Sequence, residues 1–437
     1  MSQKAKTLVE IINLFKPMAL TAKDADFYQK TSAVREDGAS YEFHDGLYRR
    51  IKNSTTHERL LVVGHSGCGK STELHMLKEK LSENGFSVIY IEMLDNLNLY
   101  NFDYIDICML IVERMSQYAQ ENNLSVEPNI LSAFQSALST KSIMEYWKTD
   151  TEVGAEASLA VSTPLMPFLK AIAKITSSLK SGSGAKEELR QDIKPQMYDI
   201  VAALNAFVKH ISEQTNKKVV IIVDGLEKCL QERVRNLFVA DINAILDIKA
   251  HLVMACPIAV YRSADAAMLS SYFTSPVVIP MIKTHDKDGN PYKAGIEVIR
   301  ELILKRADSS FFEDEVLDTI ISSAGGSLRD TCYLLSNSAF EADMRDKQTI
   351  DMPSVELTLR KFTSDVFFRV DSTLFPLVGA IFKGDHVARQ DSELSELLYC
   401  GAAFEYNGDR WVDLHPLLRE YIKNHPGVLP NDSINPL

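Results

Sequence analysis

The 437-residue chain is 46% hydrophobic and 24% charged, the balance of a soluble globular protein with room for two or three cores. Its net charge of −12 argues against a general nucleic-acid coat or a membrane-surface binder, since both depend on summed positive charge. The six cysteines, at 68, 108, 229, 256, 332 and 400, are scattered without a CxxC pair, so neither a zinc site nor a disulfide framework is expected.

The opening "MSQKAKTLVEIINLFKPM" has no long apolar run and no small-residue cleavage site. It reads as a short amphipathic helix within an N-terminal helical segment, 1–40, of a cytoplasmic, reduced protein. The most apolar later stretch, "SLAVSTPLMPFLKAIAKI", is broken by two prolines and two lysines and does not suit a membrane span.

"RLLVVGHSGCGKSTEL" is the most informative segment. A buried strand, "RLLVV", ends at Gly64-His65-Ser66-Gly67-Cys68-Gly69-Lys70-Ser71, which fits G-x-x-x-x-G-K-[ST] at every fixed position. Glycines let successive N–H groups turn inward as an anion nest, and the helix opening near Lys70 adds its dipole. Lys70 is placed to reach the β- and γ-phosphates, Ser71 to ligate Mg²⁺, and Thr72 to support the α-phosphate region. Four fixed positions arise by chance in about 2% of chains this long. The context removes that reading: Leu74, Leu77 and Leu81 repeat at helical spacing up to an Asn-Gly stop, and the strand "FSVIYIEM" follows to complete a βαβ unit.

Some 120 residues then separate this strand from the next, far more than one crossover needs. "YIDICMLIVERMSQYAQ" and "MYDIVAALNAFVKHISE" read as core helices. Residues 124–190 between them form an insertion ending at a Ser/Gly joint. "NKKVVIIVDGLEKCL" supplies the second site element: five β-branched residues, Val219 to Val223, suit a parallel strand covered on both faces, and Asp224 ends it. Asp224 is the candidate Mg²⁺ ligand, and Glu227 the candidate base for an attacking water. Glu92, ending the second strand, is the next candidate.

"GHSGCGKST" together with "VVIIVDGLEK" resembles the P-loop ATPases of the AAA+ and STAND groups (ASCE division), whose second motif is a hydrophobic strand followed by D-G-L-D or D-G-L-E. Gly225 after Asp224 leans toward the STAND pattern. The resemblance implies an α/β fold: a parallel P-loop sheet with flanking helices, a helical lid and a C-terminal winged helix. It divides the chain into an ATPase core at 41–285, a lid at 286–361 and a winged-helix-like module at 362–437. Guanine-specific GTPases are less similar, because Asn216-Lys217 precedes its strand and lacks the following Asp. ATP with Mg²⁺ is the expected ligand pair.

The same resemblance places a first sensor at Ala255-Cys256-Pro257, where a polar residue is usual. This departure leaves slow hydrolysis, or binding without turnover, open. Arg262 just beyond is either a phosphate sensor or a loop arginine. "GGSLRD" resembles the second sensor, with Arg329 opening a lid helix and reaching the phosphates. Arg306 is a weaker candidate for an arginine finger toward a neighbouring subunit.

In the C-terminal region "DSELSELLYCGAAFEY" reads as a helix leading into a strand, Asn407-Gly408-Asp409 as a hairpin turn, and "RWVDLHPLLREYI" as a strand and helix. The would-be recognition helix carries three acids and no Lys or Arg, so DNA binding is not favoured. Leu394, Leu397 and Leu398 are expected to face a core, and Tyr406 and Trp411 to anchor a protein partner. Taken together, the chain reads as an ATPase whose nucleotide state controls assembly into a homo-oligomer or the action of an effector protein, in a setting such as microbial antiviral defence or signalling. The alternatives are a DNA-associated loader of the origin-recognition or transposition type, and a scaffold that binds ATP and barely turns it over.

Overall fold

A computed structural model describes residues 3–139, 165–181, 185–274, 276–386, 391–406 and 411–429. The Asn407-Gly408-Asp409 turn, residues 140–164 of the insertion and the 182–184 joint lie outside the described residues.

Five strands form one parallel sheet in the order β2-β3-β4-β1-β5. They are β1 (Arg59–Gly64), β2 (Phe86–Glu92), β3 (Lys218–Asp224), β4 (His251–Pro257) and β5 (Val277–Ile279). The unbroken apolar runs of β1, β3 and β4 follow from coverage on both faces, where alternation would bury a polar side chain on each second residue. Register aligns the carboxyl ends: Gly64 pairs with Pro257 and Ile279, and Glu92 with Asp224. One rim of the sheet therefore presents the glycine-rich loop and the acidic strand end side by side.

Helix Lys70–Glu83 buries Leu74, Leu77 and Leu81 and stops at Asn84, followed by Gly85 at φ +84°. The other face is covered by Tyr104–Glu121 and Met197–Thr215. The described helices of the insertion, Pro128–Ala137, Leu165–Lys180 and Ala185–Ile193, share that core, with Phe134 against Phe168 and Phe207. Their return is locked by buried Asp106, which accepts from Arg190 and lies 3.4 Å from Lys186. None of the described helices is long and apolar enough to cross a membrane.

The N-terminal helix Leu8–Leu14 packs on Leu328–Asp343, where Ser336 Oγ donates to the Ile12 carbonyl. The chain then runs as a strap past the phosphate loop, and Leu20 N–H donates to Thr72 Oγ1 at 3.1 Å.

Strands β6 (Ala403–Tyr406) and β7 (Trp411–Leu414) form an antiparallel pair between helices Ser392–Cys400 and Pro416–Asn424. Leu394, Leu397 and Leu398 are buried, and the helix lies against Ile258–Tyr261, with Ser395 Oγ donating to the Ala259 carbonyl. Tyr406 and Trp411 correct the sequence expectation. Both are buried within the chain, 0% and 4% exposed; Tyr406 stacks on Trp411 and donates to the Gly325 carbonyl. They fasten the hairpin to its own chain and are not anchors awaiting a partner.

Candidate nucleotide site

The loop after β1 takes its shape from two glycines, Gly67 at φ +85° and Gly69 at φ +103°. At Gly67 a Cβ would also meet Arg329 Cβ at 2.5 Å, so the residue is fixed by close approach as well as by backbone conformation. Helix Lys70–Glu83 starts with Gly69 as its N-cap and no side-chain cap, leaving its first N–H groups to an anion. Lys70 is 2% exposed, and its Nζ donates to the carbonyls of Gly64 (2.9 Å) and His65 (2.8 Å). Both acceptors are neutral, so the ammonium lies at the loop without a carboxylate within 4 Å among the described residues.

Asp224 is fully buried beside this loop. Its Oδ2 accepts from the Tyr90 hydroxyl at 2.7 Å and its Oδ1 from the Gly225 N–H at 2.8 Å. Burial, then the negative charges of Glu227 and Glu92, push its carboxyl up to about 6, against the pull of the Tyr90 and Ser71 hydroxyls. Glu227 goes the other way. Burial would raise it, but Lys70 and then Lys228 and Arg329 outweigh that and hold it below the usual carboxylate range. Its Oε2 is sealed from solvent with no hydrogen-bond partner. Glu92 is paired with Lys228 at 2.9 Å.

Arg329 arrives from a segment 263 residues beyond Ser66, on the helix that Ser327 caps. The N–H groups of Leu328 and Arg329 donate to the Gly67 carbonyl (3.1 and 3.3 Å), and the guanidinium reaches Ser66 Oγ. The structure thus brings Gly64, His65, Ser66, Gly67, Cys68, Gly69, Lys70, Ser71, Thr72, Asp224, Glu227 and Arg329 to one rim of the sheet.

Arg262 is placed elsewhere: it is 3% exposed and grips Glu405 of β6 through two bonds of 2.6 and 2.5 Å. That bidentate pair leaves it no part in sensing phosphate. Arg306 is also inward-facing, packed near the Phe15 and Phe27 rings with its Nη1 donating to the Leu14 carbonyl at 3.5 Å. It points into its own subunit's cleft and is unsuited to be a finger for a neighbour.

Two residues, Arg35 and Tyr90, and one further role, that of His65 outside the loop, escaped the sequence. Arg35 lies beneath the loop, fully buried, donating to Thr31 Oγ1 (2.9 Å) and to the carbonyls of Cys68 (2.6 Å) and Pro280. Tyr90 fixes Asp224; its place on β2, two residues before Glu92, was the available signal. The third is His65. Its Nε2 accepts the Glu405 N–H at 2.8 Å, so its proton sits on Nδ1, toward Leu398. One neutral imidazole therefore ties the phosphate loop to the C-terminal hairpin.

Burial, then Lys70 and Arg262, push His65 down to about 3. The unfolded imidazole, at 6.5, takes up a proton that the folded one refuses, so stability falls as pH drops from 6.5 toward 3. His251, pushed down to about 4 chiefly by burial, acts in the same sense. At pH 5 each costs about 2 kcal/mol relative to pH 8. Urea unfolding at the two pH values should show this loss, and His65→Gln should shrink it. An unchanged loss in that variant would assign the pH dependence to other groups.

Residues 42–254, just under half of the chain, match the family model described as the KAP family P-loop domain. No curated protein matches the sequence. Among solved structures the chain is similar to Cdc6p from Pyrobaculum aerophilum, at 11% identity over 93% of this chain and 98% of that one, with a TM-score of 0.37. It is similar to the Aeropyrum pernix ORC1 protein in complex with DNA, at 12% identity over 96% and 97%, with a TM-score of 0.40. It is also similar to the Thermotoga maritima RuvB Holliday junction branch migration motor, at 10% identity over 87% and 90%, with a TM-score of 0.34. The parallel sheet and the glycine loop on its rim give this part of the chain a P-loop fold, in keeping with the family match.

Proposed function

We propose that the chain is an ATP-binding, ATP-hydrolysing regulatory NTPase whose nucleotide state is passed to its C-terminal segment and from there to a partner protein or a second copy of the chain. One observation carries this reading: Lys70, Ser71, Glu227 and Arg329, from three distant segments, line one cleft, and the buried Asp224 lies behind it against Ser71. The cleft's residues fit a polyphosphate. Lys70 has only neutral acceptors to give up, Arg329 only a serine hydroxyl, and Glu227 holds a buried oxygen with no donor.

Ser71 and Asp224 would hold Mg²⁺, which supplies positive charge to the phosphate oxygens. Lys70 leaves the loop carbonyls for the β- and γ-phosphates, and loop N–H groups take the rest of the chain of phosphates. Thr72, already bonded to Leu20, links the strap to the same helix. Glu227, kept ionised by its cationic neighbours, accepts the proton of a water aimed at the γ-phosphate. The apolar end of the cleft, with Met18, Leu20, Ile279 and Leu302, receives an adenine base. Pro17, Met18, Ala19 and Leu20 of the strap form one wall of this cleft.

Within this reading residues 41–285 act as the core, 286–361 as a lid and 362–437 as a winged-helix-like module. His65 and Arg262 both hold Glu405, and Tyr406 holds Gly325 ahead of Arg329. A shift of loop or lid on nucleotide exchange pulls on the same hairpin. DNA is not favoured as the partner: the acidic helix Ser392–Cys400 is packed against Ile258–Tyr261 and is not free to enter a groove.

Arg329→Ala tests the assignment of the γ-phosphate end. Calorimetric titration should show ATP affinity falling about tenfold more than ADP affinity, because the lost charge-assisted contact is made to the terminal phosphate. Equal losses for both nucleotides would reduce Arg329 to a structural contact of the loop.

A further inference from the structure

The opposite end of the sheet carries a second polar concavity. Strands β1, β3 and β4 begin there at Arg59, Lys218 and His251, and at six or seven residues each they hold it about 20 Å from the phosphate loop. A cavity of about 580 Å³ opens between these strand starts and helix Met197–Thr215. Its walls carry three lysines, Lys209, Lys218 and Lys249, and one acid, Glu213. Glu213 lies 3.7 Å from Lys209. Lys218 Nζ donates only to the Ser54 carbonyl, and Lys249 has no carboxylate within 4 Å among the described residues. In a chain of net charge −12 this pocket has the opposite sign.

His251 supplies an independent observation. It is 1% exposed, and its Nδ1 accepts the Glu58 N–H at 3.1 Å, which puts its proton on Nε2. That Nε2 is sealed from solvent and has no hydrogen-bond partner among the described residues, while the ring belongs to the cavity's wall. A buried donor left without an acceptor is costly, and natural structures rarely leave one without a reason. The His57 ring stands edge-on to it at 5.9 Å. Burial, then the positive charges of Lys218, Arg59 and Lys249, hold His57 below the usual imidazole range.

We propose that this cavity binds a small phosphate-bearing organic anion, at a site separate from the nucleotide cleft. Lys218 and Lys249 supply the charge, with Ser212 and Asn205 beside them, and a small shift of the wall uncovers the sealed His251 Nε2–H as the directed donor. Val208, Val219 and Ala206 offer an apolar wall to the organic body. A bounded hollow of this size suits a small molecule. A nucleic-acid backbone needs an extended basic track, which the acidic remainder of the surface does not provide.

The test uses the full chain with its nucleotide cleft saturated by Mg²⁺·ADP, and phenyl phosphate and inorganic phosphate as probes. Histidine ring NMR should show the His57 pKa rising as phenyl phosphate binds, since the anion offsets Lys218 and Lys249. The double variant Lys218→Gln/Lys249→Gln should weaken that binding about tenfold or more while ADP affinity stays unchanged. Weaker binding of inorganic phosphate than of phenyl phosphate would support the apolar wall; equal binding would overturn the organic part of the proposal. The site itself is overturned if neither imidazole responds, if the double variant binds the probe as the parent does, or if ADP competes with it. A single-stranded oligonucleotide that shifts His57 more strongly than phenyl phosphate would overturn the choice of ligand.

Discussion

Replacing Lys70 by alanine should lower ATP affinity by about a hundredfold or more and remove turnover. The ammonium is 2% exposed and makes two bonds, both to loop carbonyls that a phosphate can replace. Two charge-assisted hydrogen bonds to phosphate are worth about 3 kcal/mol or more, and each 1.4 kcal/mol is a factor of ten. Arginine is no substitute, since a planar fork cannot occupy a pocket shaped for a compact cation. The loss of the two loop bonds also loosens the loop, so a thermal melt of the variant belongs beside the titration. A variant that melts like its parent and still binds and hydrolyses ATP would remove the loop from the account.

Glu227→Gln should act differently, keeping ATP affinity within a few-fold while slowing hydrolysis by about 10²- to 10⁴-fold. The amide preserves shape and removes only the proton acceptor. Glu227 suits that role because Lys70, Lys228 and Arg329 keep it ionised although burial opposes this, and because its Oε2 is uncommitted. Glu92 is spent on Lys228 at 2.9 Å. Normal hydrolysis by Glu227→Gln would nevertheless move the base to Glu92, and Glu92→Gln would then carry the loss.

What the sequence showed and what it hid divide along the range of the interactions. The glycine loop, helix Lys70–Glu83 and the β3 acid are local patterns with fixed spacing, so they could be read before any fold was known. Sheet order could not, because β4 slots between β1 and β3 through contacts that no spacing records. Arg262 shows the limit most plainly. Its neighbours in sequence left a phosphate sensor and a loop arginine equally open, and its partner Glu405, which claims both arms of the guanidinium, lies 143 residues away. Tyr406 and Trp411 looked like partner anchors because aromatic residues in a hairpin carry no mark of which chain they will bury against. Arg35 had no motif around it, and only the path of the strap brings it under Cys68.

The central claim is that one cleft both binds ATP and cleaves it. A single-turnover experiment with γ-labelled ATP and an excess of the full chain reads both events at once. Nearly all of the ATP retained on the chain, cleaved to ADP and phosphate when Mg²⁺ is added and left intact in its absence, is the predicted result. No ATP retained, or ATP retained and still uncleaved with Mg²⁺ present, would contradict it.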